Sequence, residues 1–156
     1  MENNELFKQI RDTVEEWRPK NERRFRERKT LLRKYGEDSA EFAEWERKTK
    51  ANPFPVPRGT IKALHAWEDN IENGTDEFEW AGFTLENETE DFLKTLRSAG
   101  IETMVVTGTS TEMMENLHAY AHHGCTMMGL CTVTRQNQHE SDGCGKVVHG
   151  IRFKIN

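Results

Sequence analysis

The chain has 156 residues and a formal net charge of −5, enough for one ordinary domain or a small domain with an appendage. Its 35% hydrophobic and 31% charged content is polar for a compact globule; no apolar run approaches the roughly 18 residues of a membrane span, and the acidic, amphipathic start MENNELFKQI is unlike a signal peptide. Three cysteines are an odd number without framework spacing, so a reducing cytoplasm is the expected setting.

In chain order, residues 3–17 read as a helix with Leu6, Ile10, Val14 and Trp17 on one stripe. Pro19 is expected to interrupt it or to sit near the start of the next helix. Residues 20–35 then form a strongly charged helix with Phe25, Leu32 and Tyr35 as a thin apolar seam and Gly36 as its stop. A third helix runs from a cap at Asp38 or Ser39 to about Lys50, with Phe42 and Trp45 inward. Asn52-Pro53-Phe54-Pro55-Val56-Pro57 is an extended, polyproline-like connector. The organisation expected is a charged helical segment (1–51), a proline-rich connector (52–59) and an α+β domain (60–156).

Within that domain, Thr60 to about Glu72 is a helix ended by Asn73-Gly74. Phe78 and Trp80 alternate as in a strand, and Phe83 and Leu85 resume after a bend at Gly82. Asn87-Glu88-Thr89-Glu90 resembles a capping box for a helix closing at Gly100. A strand at 102–107 follows, then a helix capped by Thr109 or Ser110 and stopped at Gly124. Cys125–Thr134 and Val147–Ile155 are long strands separated by a polar loop; in the second, Val147, His149, Ile151, Phe153 and Ile155 share a face. Gly100 and Gly124 lie 24 residues apart, and at that offset Leu93 matches Leu117, Leu96 matches Tyr120 and Met104 matches Met128. The fold class expected is α+β, an N-terminal helical segment followed by a small β-α-β-α-β-β domain with helices on one face of the sheet.

The stretch Thr109-Ser110-Thr111-Glu112-Met113-Met114-Glu115-Asn116-Leu117, then His123-Gly124-Cys125 and the strand around Gly129-Leu130, carries a resemblance. Over residues 83–155 the chain is similar to a family of small proteins of unassigned function carried on phages, plasmids and conjugative elements of gut Firmicutes. The resemblance implies a mobile-element setting, where counter-defence proteins such as anti-CRISPR inhibitors are common, and brings no known activity.

No stretch carries a specific catalytic signature, so no enzymatic activity and no cofactor are expected. Cys131, His139, Cys144 and His149 offer zinc-type ligands at the hairpin, but without a CxxC pair; free thiols and surface imidazoles are the plainer reading. Cys144 in Asp142-Gly143-Cys144-Gly145 lies near His139 and His149, yet Glu140 and Asp142 oppose a thiolate there. Thr107-Gly108-Thr109-Ser110 could cradle an anion at a helix start but lacks the lysine and glycines of a P-loop.

Two charge blocks frame the partners. From Arg18 to Lys34 nine basic residues meet only Glu22 and Glu27, and Arg23, Arg24, Arg26, Arg28 and Lys29 are candidates for nucleic acid or an acidic protein face. From Glu68 to Asp91 there are ten acidic residues and no Lys or Arg. Part of that run suits helix starts; the sharper reading is that Glu68, Asp69, Glu72, Asp76, Glu77 and Glu79 mimic phosphates in a basic groove. The expected function is a non-enzymatic, protein-binding inhibitor of a host nucleic-acid-handling complex, a CRISPR effector or another nuclease with a basic groove. The alternative is direct DNA or RNA binding through residues 18–35, and no membrane partner is expected.

Overall fold

Good helix formers, Glu, Arg and Lys above all, fill the first third of the chain, and they form one helix rather than two. In the computed structural model, which describes residues 1–108, 110–139 and 145–156, α1 (Glu5–Tyr35) is 31 residues long with Pro19 inside it. The break expected at Pro19 is therefore absent. Proline removes one backbone donor and crowds the preceding turn, but two long flanks of strong helix formers carry the helix through. Gly36 ends α1 at φ 87°. Helix α2 (Ala40–Ala51) follows, with Ser39 as N-cap accepting from the Phe42 N–H.

The chain divides into two compact units, Met1–Gln9 with Pro57–Asn156, and Ile10–Val56. The first nine residues, expected in the charged segment, thus belong with the sheet. Phe7, off the stripe read from the sequence, is fully buried and stacks on Trp67 with ring centroids 5.2 Å apart. Asn4 Nδ2 donates to the Ala99 carbonyl at 2.8 Å, and Trp67 Nε1 donates to the Met1 carbonyl at 2.8 Å.

In the sheet-bearing unit the elements are α3 (Arg58–Asn73), β1 (Glu79–Trp80), α4 (Glu86–Ser98), β2 (Thr103–Val106), α5 (Ser110–His122), β3 (Thr126–His139) and β4 (Gly145–Lys154). The strand order is β1-β2-β4-β3, with β1 parallel to β2 and β4 antiparallel to both of its neighbours. This is the expected α+β class. Helix α4 starts at Glu86 with Leu85 as N-cap, so the capping box expected around Asn87 does not form. Glu88 is instead buried, with Lys62 Nζ 2.7 Å from its Oε2; the ammonium meets that oxygen as an ion pair outside hydrogen-bonding geometry.

The repeat at offset 24 is a repeated helix end. Ile101 N–H donates to Leu96 O and Gly100 N–H to Arg97 O; one unit later Cys125 N–H donates to Tyr120 O and Gly124 N–H to Ala121 O. Each is a Schellman-type close requiring positive φ, 79° at Gly100 and 86° at Gly124. The likeness stops at the strands: Met104 is buried, whereas Met128 is 56% exposed at a bulge between Met127 and Gly129.

Register assigns the two faces of the sheet. Trp80, Met104, Val106 and Phe153 share one, where Trp80 and Tyr120 flank Phe92 and Tyr120 meets Phe153 edge-on at 5.8 Å. This places α4 and α5 on that face. Tyr120 hydroxyl accepts from Trp80 Nε1 at 2.7 Å, and burial pushes its pKa upward. Glu77, Glu79, Val105, Val133, Arg135 and Arg152 share the other face. That face is concave. Gly74–Asp76, just before β1, reach the far end of β3: Asp76 N–H donates to Thr134 O at 3.1 Å, Gln136 N–H to Gly74 O at 3.1 Å, and Thr75 bridges Arg135. The sheet therefore curls until its two edges share one segment.

Candidate functional site

Curling decides the fate of the acidic run, because it turns two carboxylates inward. Glu79 is 5% exposed. Arg135 clamps it in a fork, with Nε 2.8 Å from Oε1 and the second guanidinium nitrogen on Oε2, and the Thr107 hydroxyl donates to the same Oε2. The Asn70 amide completes the arrangement, accepting from Glu79 N–H at 2.7 Å and donating to Glu79 O at 2.8 Å. Glu77 forms a similar fork with Arg152 in a half-buried position. The carboxylates hold both guanidinium pKa values above their ordinary value. Glu79, expected on the partner-binding face, is thus an internal tie, and Glu77 is neutralised beside it.

The remaining four acidic residues behave differently. Helix α3 buries Ala63, Leu64, Ala66, Trp67 and Asn70, which leaves Glu68, Asp69 and Glu72 on its exposed side. Asp76 is also exposed, and its Oδ1 accepts from Thr134 N–H at 2.8 Å. The three helix carboxylates lie in the C-terminal half of α3, whose last turn carries no basic residue. Negative charge there opposes the helix dipole. Among the described residues none of the three has an ion-pair partner within 4.0 Å. Partial burial, then the Glu72 charge, hold the Asp69 carboxyl above the ordinary carboxylate range, with His65 pulling weakly the other way.

The basic candidates lie in the unit of residues 10–56. Arg23, Arg26, Arg28 and Lys29 are exposed and Arg24 is half-buried. Arg24 donates to the Asn52 carbonyl at 2.6 Å and lies over the Trp17 ring. Arg28 lies over Phe42, Lys29 over Phe25, and Arg23 sits 3.9 Å from Glu27. Phe25 is 60% exposed and Tyr35 is exposed, so the apolar seam expected along this helix does not form; Phe42 is buried and stacks on Trp45, Trp17 meets Phe54, and Trp45 Nε1 donates to Glu27.

Cys131 and His149 fall on opposite faces of the β3–β4 pair, since Cys131 pairs with Gly150 and His149 with Thr132. Cys131 and His149 therefore do not point to one site, and among the described residues no group of three His, Cys, Asp or Glu could hold a metal ion. Burial raises the pKa of both the Cys125 and Cys131 thiols. Residues 140–144, Cys144 among them, lie outside the described residues, as does Thr109. At the start of α5 a Glu112 carboxylate oxygen comes within 3.4 Å of where a Cβ on Gly108 would stand, so negative charge already meets the proposed anion cradle.

Sequence reasoning missed a groove of about 540 Å³ between the approach to α4 and the outer face of α5, lined by Leu85, Met114, His118, His122 and His123 among others. The signal was present as exposed-side spacing, His118 and His122 one turn apart with nearly parallel rings. A smaller polar cavity of about 280 Å³ lies against Asp69, Asn70, Glu79 and Arg135.

Among the described residues no helix is long and apolar enough to cross a membrane. Neither the curated proteins nor the solved structures give a match to this chain. The model of one protein family does match, over residues 62–155, from the first turns of α3 to the end of the sheet. The chain belongs to that family, the domain of unknown function DUF7698.

Proposed function

We propose that this protein is a non-enzymatic binding module whose exposed α3 carboxylates occupy a basic, nucleic-acid-handling groove on a partner protein. The finer form of the reading is counter-defence: an inhibitor from a mobile element, acting in the host cytoplasm on a CRISPR effector or another nuclease with such a groove. One observation carries it. Glu68, Asp69 and Glu72 crowd the disfavoured end of a helix, with no ion-pair partner among the described residues. A cationic surface would relieve both their mutual repulsion and the dipole penalty. Residues one helical turn apart stand about 6 Å from each other, a spacing suited to successive lysine or arginine contacts.

The test is competition. Cleavage of target DNA by a guide-loaded CRISPR effector should fall as the protein is added, and recover with Glu68→Lys/Asp69→Lys/Glu72→Lys. Inhibition that survives this triple reversal removes the acidic face from the reading. A second reading rests on the exposed Arg23, Arg26 and Lys29 beside exposed Phe25, a cation-and-ring arrangement that suits single-stranded nucleic acid. Fluorescence anisotropy with oligonucleotides decides it: tight, salt-sensitive binding lost in Arg23→Glu/Arg26→Glu favours that reading, and weak binding at physiological ionic strength favours the first.

A further inference from the structure

Strand β3 carries two different outer edges. Its far end is covered, because Gly74–Asp76 pair with residues 134–136. Along residues 126–133 the outer edge has no paired strand among the described residues, since β3 closes the strand order and β4 occupies its other side. The uncovered part is also apolar and exposed. Leu130 is 89% exposed, and Met127, Met128 and the neighbouring Val147 on β4 are each more than half exposed.

Protective devices are sparse here. Exposed edge strands are ordinarily blunted by lysine, by proline, by bulges or by covering loops. Residues 126–134, TMMGLCTVT, contain no charged residue and no proline; only the bulge at Gly129, with φ 114°, interrupts the pairing direction. The first charged residue beyond, Arg135, is spent on Glu79. The helices cover the convex face only near Phe153 and Met104, so Leu130, Thr132, Val147 and His149 lie beyond them.

We infer that the edge at 126–133 seats a second copy of this chain, its β3 strands pairing antiparallel across a two-fold axis. The neutrality of the edge selects the occupant. A two-fold axis opposes this uncharged strand to its own reverse, so the regular stretch beyond the Gly129 bulge meets complementary backbone groups and no charge is left facing an apolar strip. An acidic or basic partner strand would find no counter-charge along the run. Leu130 and Thr132 of one copy would lie beside those of the other on the same face, and the two four-stranded sheets would join into one of eight.

Sedimentation equilibrium on the full chain tests this. At high micromolar concentration the mass should approach twice 18.2 kDa. Leu130→Lys, and independently Met128→Lys, should each raise the dimer dissociation constant about tenfold or more by placing a charge at the edge. Both side chains are largely solvent-exposed, so the circular dichroism melting curve of each variant at monomeric concentration should match the parent. A parent that stays monomeric throughout overturns the inference and leaves the edge to a strand of another protein. A dimer that persists undiminished in both lysine variants also overturns it, by moving the interface elsewhere.

Discussion

Two parts of one acidic run, a few residues apart, have opposite fates. Glu68, Asp69, Glu72 and Asp76 are solvated, whereas Glu77 and Glu79 are forked onto arginines and Glu88 is buried against Lys62. The difference teaches that a charge run in sequence is not a face in space. Helical periodicity keeps three carboxylates of α3 outside, while strand alternation turns Glu77 and Glu79 to the concave side. The first set faces solvent, and in the second Glu79 ties the sheet's two edge strands together through Arg135.

The largest expected effect comes from removing a member of the second set. Glu79→Ala leaves Arg135 charged and without its partner inside the curl, a loss of about 3–5 kcal/mol by urea denaturation. A cost below about 1 kcal/mol, in the range of surface pairs, would erase the distinction between the two sets. Next comes Gly59→Ala. A Cβ there would stand 2.1 Å from the Glu88 carbonyl and 2.7 Å from the Phe92 nitrogen, so α3 and α4 must separate. The expected loss is about 1–3 kcal/mol in thermal unfolding, and an unchanged midpoint would contradict the close helix approach.

Charge reversal on the first set should behave oppositely. Glu68→Lys and Glu72→Lys should each change stability by no more than about 0.5 kcal/mol, with any gain explained by the helix dipole. A multi-kcal/mol loss from either would show that α3's outer face is structural. The smallest effect concerns pH. Because the Asp69 carboxyl is raised in the fold, its contribution to stability is fully present below its unfolded pKa and is lost as pH rises through its folded one. Asp69→Asn should therefore be slightly more stable than the parent at neutral pH, an advantage that disappears in acid. An advantage that instead grows on acidification would reverse the sign argued for this group.

What could be read from the sequence was local. The stops at Gly36, Gly74, Gly100 and Gly124 all carry positive φ, because a residue without Cβ after a periodic run has few other uses. The α+β class followed from the change of hydrophobic period near Phe78, and the inward Phe42 and Tyr120 followed from helical spacing. Long-range pairing escaped. Nothing near Glu79 announces Arg135, which lies 56 positions away, and only the register of β3 against β4 brings it round. Phe7 escaped for a similar reason: its burial depends on Trp67, and the local stripe through Leu6 and Ile10 pointed elsewhere. For the candidate site, composition located the acidic block, but separating its solvated members from its internal ones required knowing which elements were helix and which were strand.

The clasp between Gly74–Asp76 and the far end of β3 has a kinetic consequence. Asp76 and Thr134 meet across 58 positions of chain, after two helices and most of the sheet have been laid down between them. The helix ends at Gly100 and Gly124 close over a few residues each and can form early, whereas the clasp costs the closure of a long loop. It should be the last part of the sheet to lock and the first to open. Amide protons of Asp76 and Gln136 should accordingly exchange with solvent ahead of that of Val105, which donates to Phe78 in the middle of the fold. Opening there would bare Glu79 and Arg135 to water while the helical layer stays intact, giving the molecule a hinge that its charge pattern alone does not announce.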